Sequence, residues 1–238
     1  MKKSLALLAV LGCFSQSSMA ATTFNLATLA QPSFRALSED FGAALSYKPI
    51  TPAAPLGITG FDIGVEVSAT NISKSAAAWK TATGSDAPGT LPIPKLHVAK
   101  GLPFNIDVAA FYTAVPTTNI TAFGGELRYA ILEGGLAMPA VAVRGAMTKL
   151  NGIDQLTLNT KSLDVSISKG FAMFSPYAGA GMVWVDSSTS VAGLQAESFT
   201  QPKWFVGANL NLGLTNLAAE VDQTGGVQTV SAKVGFRW

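Results

Sequence analysis

Charge is scarce in this chain of 238 residues, where Asp, Glu, Lys and Arg make up only 13%. Asp62, Glu66, Asp107, Glu126, Arg128, Arg144, Asp164, Glu220, Asp222, Lys233 and Arg237 share one property: each falls at an alternate position of a run whose other positions are apolar. Mixed-sign charges gathered on one face can do two kinds of chemistry. They pair and brace the wall that carries them, or they line a path and select what passes along it. Pairing is the commoner outcome, so bracing is the first expectation and a narrow selective lumen the second.

Other reactive groups are few. The one histidine, His97, stands two residues after Lys95 in the run Ile93 to Lys100. No GxSxG or HExxH spacing accompanies it, so an imidazole lining an interior is expected rather than a catalytic base. The single cysteine, Cys13, belongs to the N-terminal leader. With no clustered His or Cys set, neither a metal site nor a cofactor is expected.

The elements that position the charges repeat every two residues. From Ile58 onward the chain alternates apolar and polar side chains: Phe61, Ile63, Val65 and Val67 against Asp62, Gly64 and Glu66; Leu163, Val165 and Ile167 against Asp164 and Ser166. Such a period puts one set on each face of a strand. Runs of this kind cover Ile58 to Asn71, Ile93 to Lys100, Pro103 to Ala114, Thr118 to Ile131, Leu136 to Lys149, Gln155 to Lys169, Phe174 to Asp186, Lys203 to Gly213, Leu217 to Asp222 and Val227 to Trp238. Ten strands are therefore expected. The upper part of Gln155 to Lys169 falls out of phase, which suggests a bulge. Asn71 to Leu91 and Ser187 to Thr200 are polar and read as loops.

Before the strands, Pro32 to Tyr47 places Phe34, Leu37, Phe41, Ala44 and Leu45 at helical spacing, with Ser33 available as a cap. The rival is a strand over Phe41 to Tyr47, because Phe41, Ala43, Leu45 and Tyr47 also alternate.

Composition narrows the class. Hydrophobic residues reach 48%, yet no stretch after Ala21 approaches the roughly 20 apolar residues of a spanning helix. Without Lys2 and Lys3 the remaining basic residues equal the acidic ones, so no basic surface for nucleic acid is present. Met1 to Ala20 has the charged start, short apolar run and small-residue end of a secretory signal, with cleavage near Ala20 and Ala21. A lipoprotein site at Val10 to Cys13 is the alternative, weakened by the bulky Leu11.

The last strand stops on an aromatic residue, with Val230, Val234, Phe236 and Trp238 on one face and Lys233 and Arg237 on the other. It resembles the C-terminal assembly signal of Gram-negative outer-membrane β-barrel proteins. The resemblance implies an all-β, closed antiparallel up-and-down transmembrane barrel in the cell outer membrane, meeting the barrel-assembly machinery during biogenesis and outer-membrane lipid and lipopolysaccharide thereafter. The expected organisation is a signal over 1–20, an N-terminal segment with its helix over 21–57, and the barrel over 58–238. A soluble β-sandwich would alternate in the same way, so the signal, the aromatic end and an even strand count separate the two.

An even count assumes that both ends of the mature chain stay in the periplasm. It places the long connections outside, with Tyr112 and Trp204 at the outer ends of strands and Phe61, Phe104, Tyr129, Phe236 and Trp238 at the periplasmic ends. The helix is then expected at or under the periplasmic mouth. The functional expectation is a non-enzymatic envelope structural protein or narrow channel for small solutes; the alternatives are a surface-binding barrel acting through its outer loops and a lipid-modifying enzyme.

Overall fold

The computed structural model describes residues 24–84, 86, 89–115, 119–135 and 137–238. The signal over 1–20 with Cys13 and its cleavage point, and the strand boundaries set at Thr118 and Leu136, lie outside the described residues.

Ten antiparallel strands close into one barrel, each paired with its neighbour in sequence. They are β1 Phe61–Asn71, β2 Thr90–Gly101, β3 Ile106–Ala114, β4 Thr121–Glu133, β5 Ala140–Asn151, β6 Leu156–Ser168, β7 Phe174–Thr189, β8 Glu197–Leu212, β9 Thr215–Thr224 and β10 Val227–Arg237. β10 returns to β1 with Val65 opposite Val234 and Glu66 opposite Lys233. Closure leaves no unpaired sheet edge.

The wall is inside out relative to a soluble barrel. On β1 Val65 is 50% exposed whereas Glu66 is 2% exposed, and on β4 the neighbours Leu127 and Arg128 stand at 56% and 2%. Leu163, Val165, Ile167, Val206 and Val230 point outward in the same way. An apolar exterior around a polar interior is stable only where the exterior meets hydrocarbon, so this is an outer-membrane barrel. Among the described residues no helix is long and apolar enough to cross a membrane.

Local geometry departs from the alternating pattern in several places. Phe104 and Asn105 turn through φ of 64° and 61°, so β3 starts at Ile106 rather than Pro103. β6 pairs with β7 in unbroken register from Leu156 to Ser168; the irregularity lies between β4 and β5, at Ala130 and Leu132. β7 and β8 reach Thr189 and Glu197, leaving only 190–196 as a connection. The 71–91 stretch holds a 3-10 turn at Ser73–Ser75 and the helix α2, Ala76–Thr83, before β2 begins at Thr90.

The N-terminal helix α1 spans Gln31–Leu45. Its N-cap is Ala30, which makes no side-chain cap hydrogen bond; Pro32 sits at the first turn, where a missing N–H costs nothing. Ser33 is therefore inside the helix and not its cap, and no strand forms over Phe41 to Tyr47. α1 lies at the mouth formed by the long connections, not at the mouth of the tight turns. Phe34, Leu37, Phe41 and Leu45 share an apolar cluster with Trp79 of α2, Ile153, Leu156 and Val185. Residues 46–57 then run down the lumen to β1.

Candidate functional site

The polar lumen and the segment threaded through it form one site. The wall supplies ion pairs between adjacent strands. Arg144 donates to Asp164 Oδ1 from Nε and Nη2 at 3.0 and 2.7 Å, and its Nη1 lies 3.4 Å from Glu126 Oε2. Arg128 grips Asp107 Oδ2 from Nε at 3.1 Å and Nη2 at 2.6 Å. Lys95 meets Glu66 at 2.9 Å, and Lys233 meets Asp62 at 2.7 Å with Arg237 3.6 Å from the same carboxylate. Glu220 and Asp222 from β9 are also withdrawn from solvent. Alternation explains the gathering: every second residue of a closed sheet points at the axis.

The threaded segment uses what the wall leaves over. Tyr47 Oη lies 3.1 Å from His97 Nε2. Lys48 Nζ donates to Asp222 Oδ1 at 2.8 Å, and the Ile50 amide to Glu220 Oε2 at 3.1 Å. Lys203 of β8 donates to the Tyr47 carbonyl at 2.5 Å. Lower down, Arg128 Nη1 donates to the Pro52 carbonyl at 2.6 Å and Arg237 Nη1 to Thr51 Oγ1 at 2.9 Å. The Ala53 amide reaches Ser168 Oγ at 3.0 Å and the Leu56 amide Asp107 Oδ1 at 3.0 Å. Successive residues of the segment thus engage β2, β9, β8, β4, β10, β6 and β3. Such irregular backbone is tolerated at membrane depth only when protein satisfies its polar groups.

The outer mouth is closed by a second set of contacts. Asp40 of α1 accepts from Trp79 Nε1 of α2 at 2.6 Å and from Ser75 Oγ. Burial raises its carboxyl above the usual Asp value, while those two hydrogen bonds oppose the rise. Ser38 Oγ lies 2.8 Å from Ser187 Oγ, and Arg35 Nη1 donates to Glu197 Oε2 at 3.0 Å. Phe41 and Trp79 pack with ring centroids 4.9 Å apart.

Sequence reasoning anticipated inward charges but missed their partners on 46–57, because nothing in Tyr47, Lys48 or Pro52 marks them as lumen residues. His97, in the lumen with Tyr47, is 2% exposed. Among the described residues no group of three or more His, Cys, Asp and Glu side chains is placed to hold a metal ion.

No protein-family profile matches the chain, and no curated protein matches it either. Among solved structures it is similar to Ail, the attachment invasion locus protein of Yersinia pestis, over 75% of this chain and 97% of that one, with 14% identity and a TM-score of 0.38. Ail in complex with the heparin analogue sucrose octasulfate aligns over the same share of both chains, with 11% identity and a TM-score of 0.31. Neisserial surface protein A aligns over 75% of this chain and 94% of its own, with 10% identity and a TM-score of 0.29.

Proposed function

We propose that this protein is a sealed outer-membrane barrel that acts at its outer mouth, as a surface-binding platform, and does not pass solutes in its resting state. The observation that carries the reading is the occupied lumen: residues 46–57 hold contacts with seven strands, and α1 closes the mouth above them. A conducting state would require Lys48 to leave Asp222 and Arg128 to leave the Pro52 carbonyl, exposing groups that are wholly buried. The inward charges then brace the wall and fix the segment, and selecting ions is not their role. α1, α2 and the β7–β8 connection make the rigid outer surface on which a partner would dock.

The same proposal includes the targeting route: a signal over 1–20 cleaved after Ala20, and a C-terminal strand read by the assembly machinery through Val230, Val234, Phe236 and Trp238. Planar-bilayer recording tests the seal. The full-length barrel is expected to show no steady conductance, and a variant lacking residues 24–57 to show a small ohmic one. Equal conductance in both would overturn the sealed reading. Binding is tested on intact cells by deleting 73–83, where loss of attachment with a barrel that still shifts on an unboiled gel supports the platform and retained attachment counts against it.

A further inference from the structure

The two mouths of the barrel differ in kind. At one, the connections are 72–89, 115–120, 152–155, 190–196 and 225–226; at the other, 102–105, 134–139, 169–173 and 213–214. The second mouth also holds the C-terminus, because Phe61 and Trp238 exchange backbone hydrogen bonds of 2.9 and 3.1 Å. In bacterial barrels the short turns and the C-terminal strand end face the periplasm and the long connections face out.

The start of the described chain lies at the outer of these two mouths. Leu26 and Leu29 are buried in the cluster that contains Trp79, Ile153 and Leu156, with Val191 and Leu194 against it. The Asn25 amide donates to the Ala82 carbonyl at 2.8 Å and the Leu26 amide to Gln155 Oε1 at 2.7 Å, both partners belonging to outer connections. Asn25, Ala27, Thr28 and Ala30 are exposed between those anchors. From the start of α1 the chain leads inward, with Arg35 meeting Glu197, Ser38 meeting Ser187 and Lys48 meeting Asp222. α1 covers about 22 Å at 1.5 Å per residue, and residues 46–57 pass Asp222, Arg128 and Ser168. They emerge at the periplasmic mouth, where Lys100 Nζ donates to the Ile58 carbonyl. At a maximum of about 3.3 Å per residue this stretch reaches no more than about 40 Å, which leaves room for its bends across a hydrocarbon core of about 30 Å.

We infer that residues 24–30 stand on the cell-surface side of the membrane, and that the barrel carries its own N-terminal arm outward through its lumen during assembly. The inference rests on the sealed-barrel reading and adds a direction to it. A chain delivered from the periplasm places Phe24 above the outer mouth and Gly57 below the periplasmic one only with its arm running through the ring of strands, whether threaded through it or enclosed as β1 and β10 pair. Once α1 has folded above Gly42 and docked on α2, its diameter of about 10–12 Å with side chains and the packed Phe34, Leu37 and Phe41 keep the arm from being drawn back. The protein is then a minimal exporter whose cargo is the segment that stoppers it, and the exposed Ala27 and Thr28 are natural attachment points for displayed sequence. On this inference the premise behind the even count, that both ends of the mature chain stay in the periplasm, holds for the C-terminus alone. Ten strands leave the C-terminus in the periplasm, while the lumen passage puts the arm outside.

Since Cys13 is the only cysteine, single-cysteine labelling gives a direct test. T28C, an outer-connection control A196C and a periplasmic-turn control L214C are exposed to a membrane-impermeant maleimide on intact cells and again after the outer membrane is permeabilised. T28C is expected to label on intact cells to the same extent as A196C, and L214C only after permeabilisation. Protection of T28C alongside L214C, with A196C labelled, would overturn the inference and leave the sealed barrel standing. Labelling of L214C on intact cells with A196C protected would instead overturn the orientation on which both readings depend. Should T28C fail to shift on an unboiled gel, A27C replaces it with the same two outcomes.

Discussion

Lys48, on the threaded segment, donates a 2.8 Å hydrogen bond to Asp222 on β9, and neither side chain has any contact with solvent. Among the described residues Asp222 Oδ2 has no hydrogen-bond partner, so Lys48 is its principal compensation. Removing one member of a buried pair costs about 3–5 kcal/mol, because a charge is left uncompensated. In K48A that cost is relieved if the arm leaves and water reaches Asp222. Bilayer recordings of K48A should therefore show conducting events at least about 100-fold more often than wild type, at 1.4 kcal/mol per tenfold. K48M/D222N, which removes both charges, should return the events toward the wild-type frequency; unchanged gating in K48A would show that the pair does not hold the arm.

The wall pairs predict a different readout. Arg144 sits between Asp164 and Glu126 with all three side chains buried, so R144M leaves two buried carboxylates without the cation that bridges them. A loss of about 3–5 kcal/mol is expected in denaturant unfolding from lipid vesicles, and E126Q/D164N in the same background should recover part of it. The half-exposed pair Arg35 and Glu39 provides the contrast: E39Q should change stability by less than about 1 kcal/mol.

What was legible in the sequence followed from lipid on one side of the wall and polar groups on the other. Val65 beside Glu66 and Leu127 beside Arg128 could be assigned faces because the bilayer enforces a strict period of two. Beyond the bilayer that enforcement ends, which is why Ser187 to Thr189 and Glu197 to Thr200 looked like loop yet continue β7 and β8. The Ala-rich run of α2 has too few apolar residues to show a period. α1 was legible as a helix but not as an outer plug: Phe34, Leu37 and Phe41 define a buried face, and nothing local says whether Trp79 above or the tight turns below will cover it. The lumen contacts of Lys48 and Pro52 join positions more than 70 residues apart and have no local signature.

Acid should tighten the lid. Asp40 is protonated more readily in the folded protein than in the unfolded chain, whose ordinary value is 3.8, so its contribution favours folding most at low pH and is lost as pH rises through the raised folded value. Asn at this position does not titrate. The melting temperature of D40N relative to wild type should therefore shift upward from pH 3.5 to pH 7, and a difference independent of pH would show that Asp40 does not couple the lid to protonation.

Close approach inside the lumen yields the last prediction. Phe111 and Gly124 are register partners on β3 and β4, and a Cβ at Gly124 would stand 2.4 Å from Phe111 Cε1. Tyr177 and Gly207 repeat the arrangement between β7 and β8, again with 2.4 Å to the ring. In both cases a large inward ring lies over a position with no side chain and a neighbouring strand's carbonyl crowds the same point, Met147 O at 2.8 Å from a Cβ at Gly124 and Ala219 O at 2.7 Å from one at Gly207, so ring and backbone together require the glycine. Filling such a site forces the ring off its rotamer at a cost of about 1–3 kcal/mol. G124A should lower the unfolding midpoint by that amount, and F111L in the same chain should restore part of it by vacating the space. A G124A barrel as stable as wild type would mean that Phe111 has another place to go.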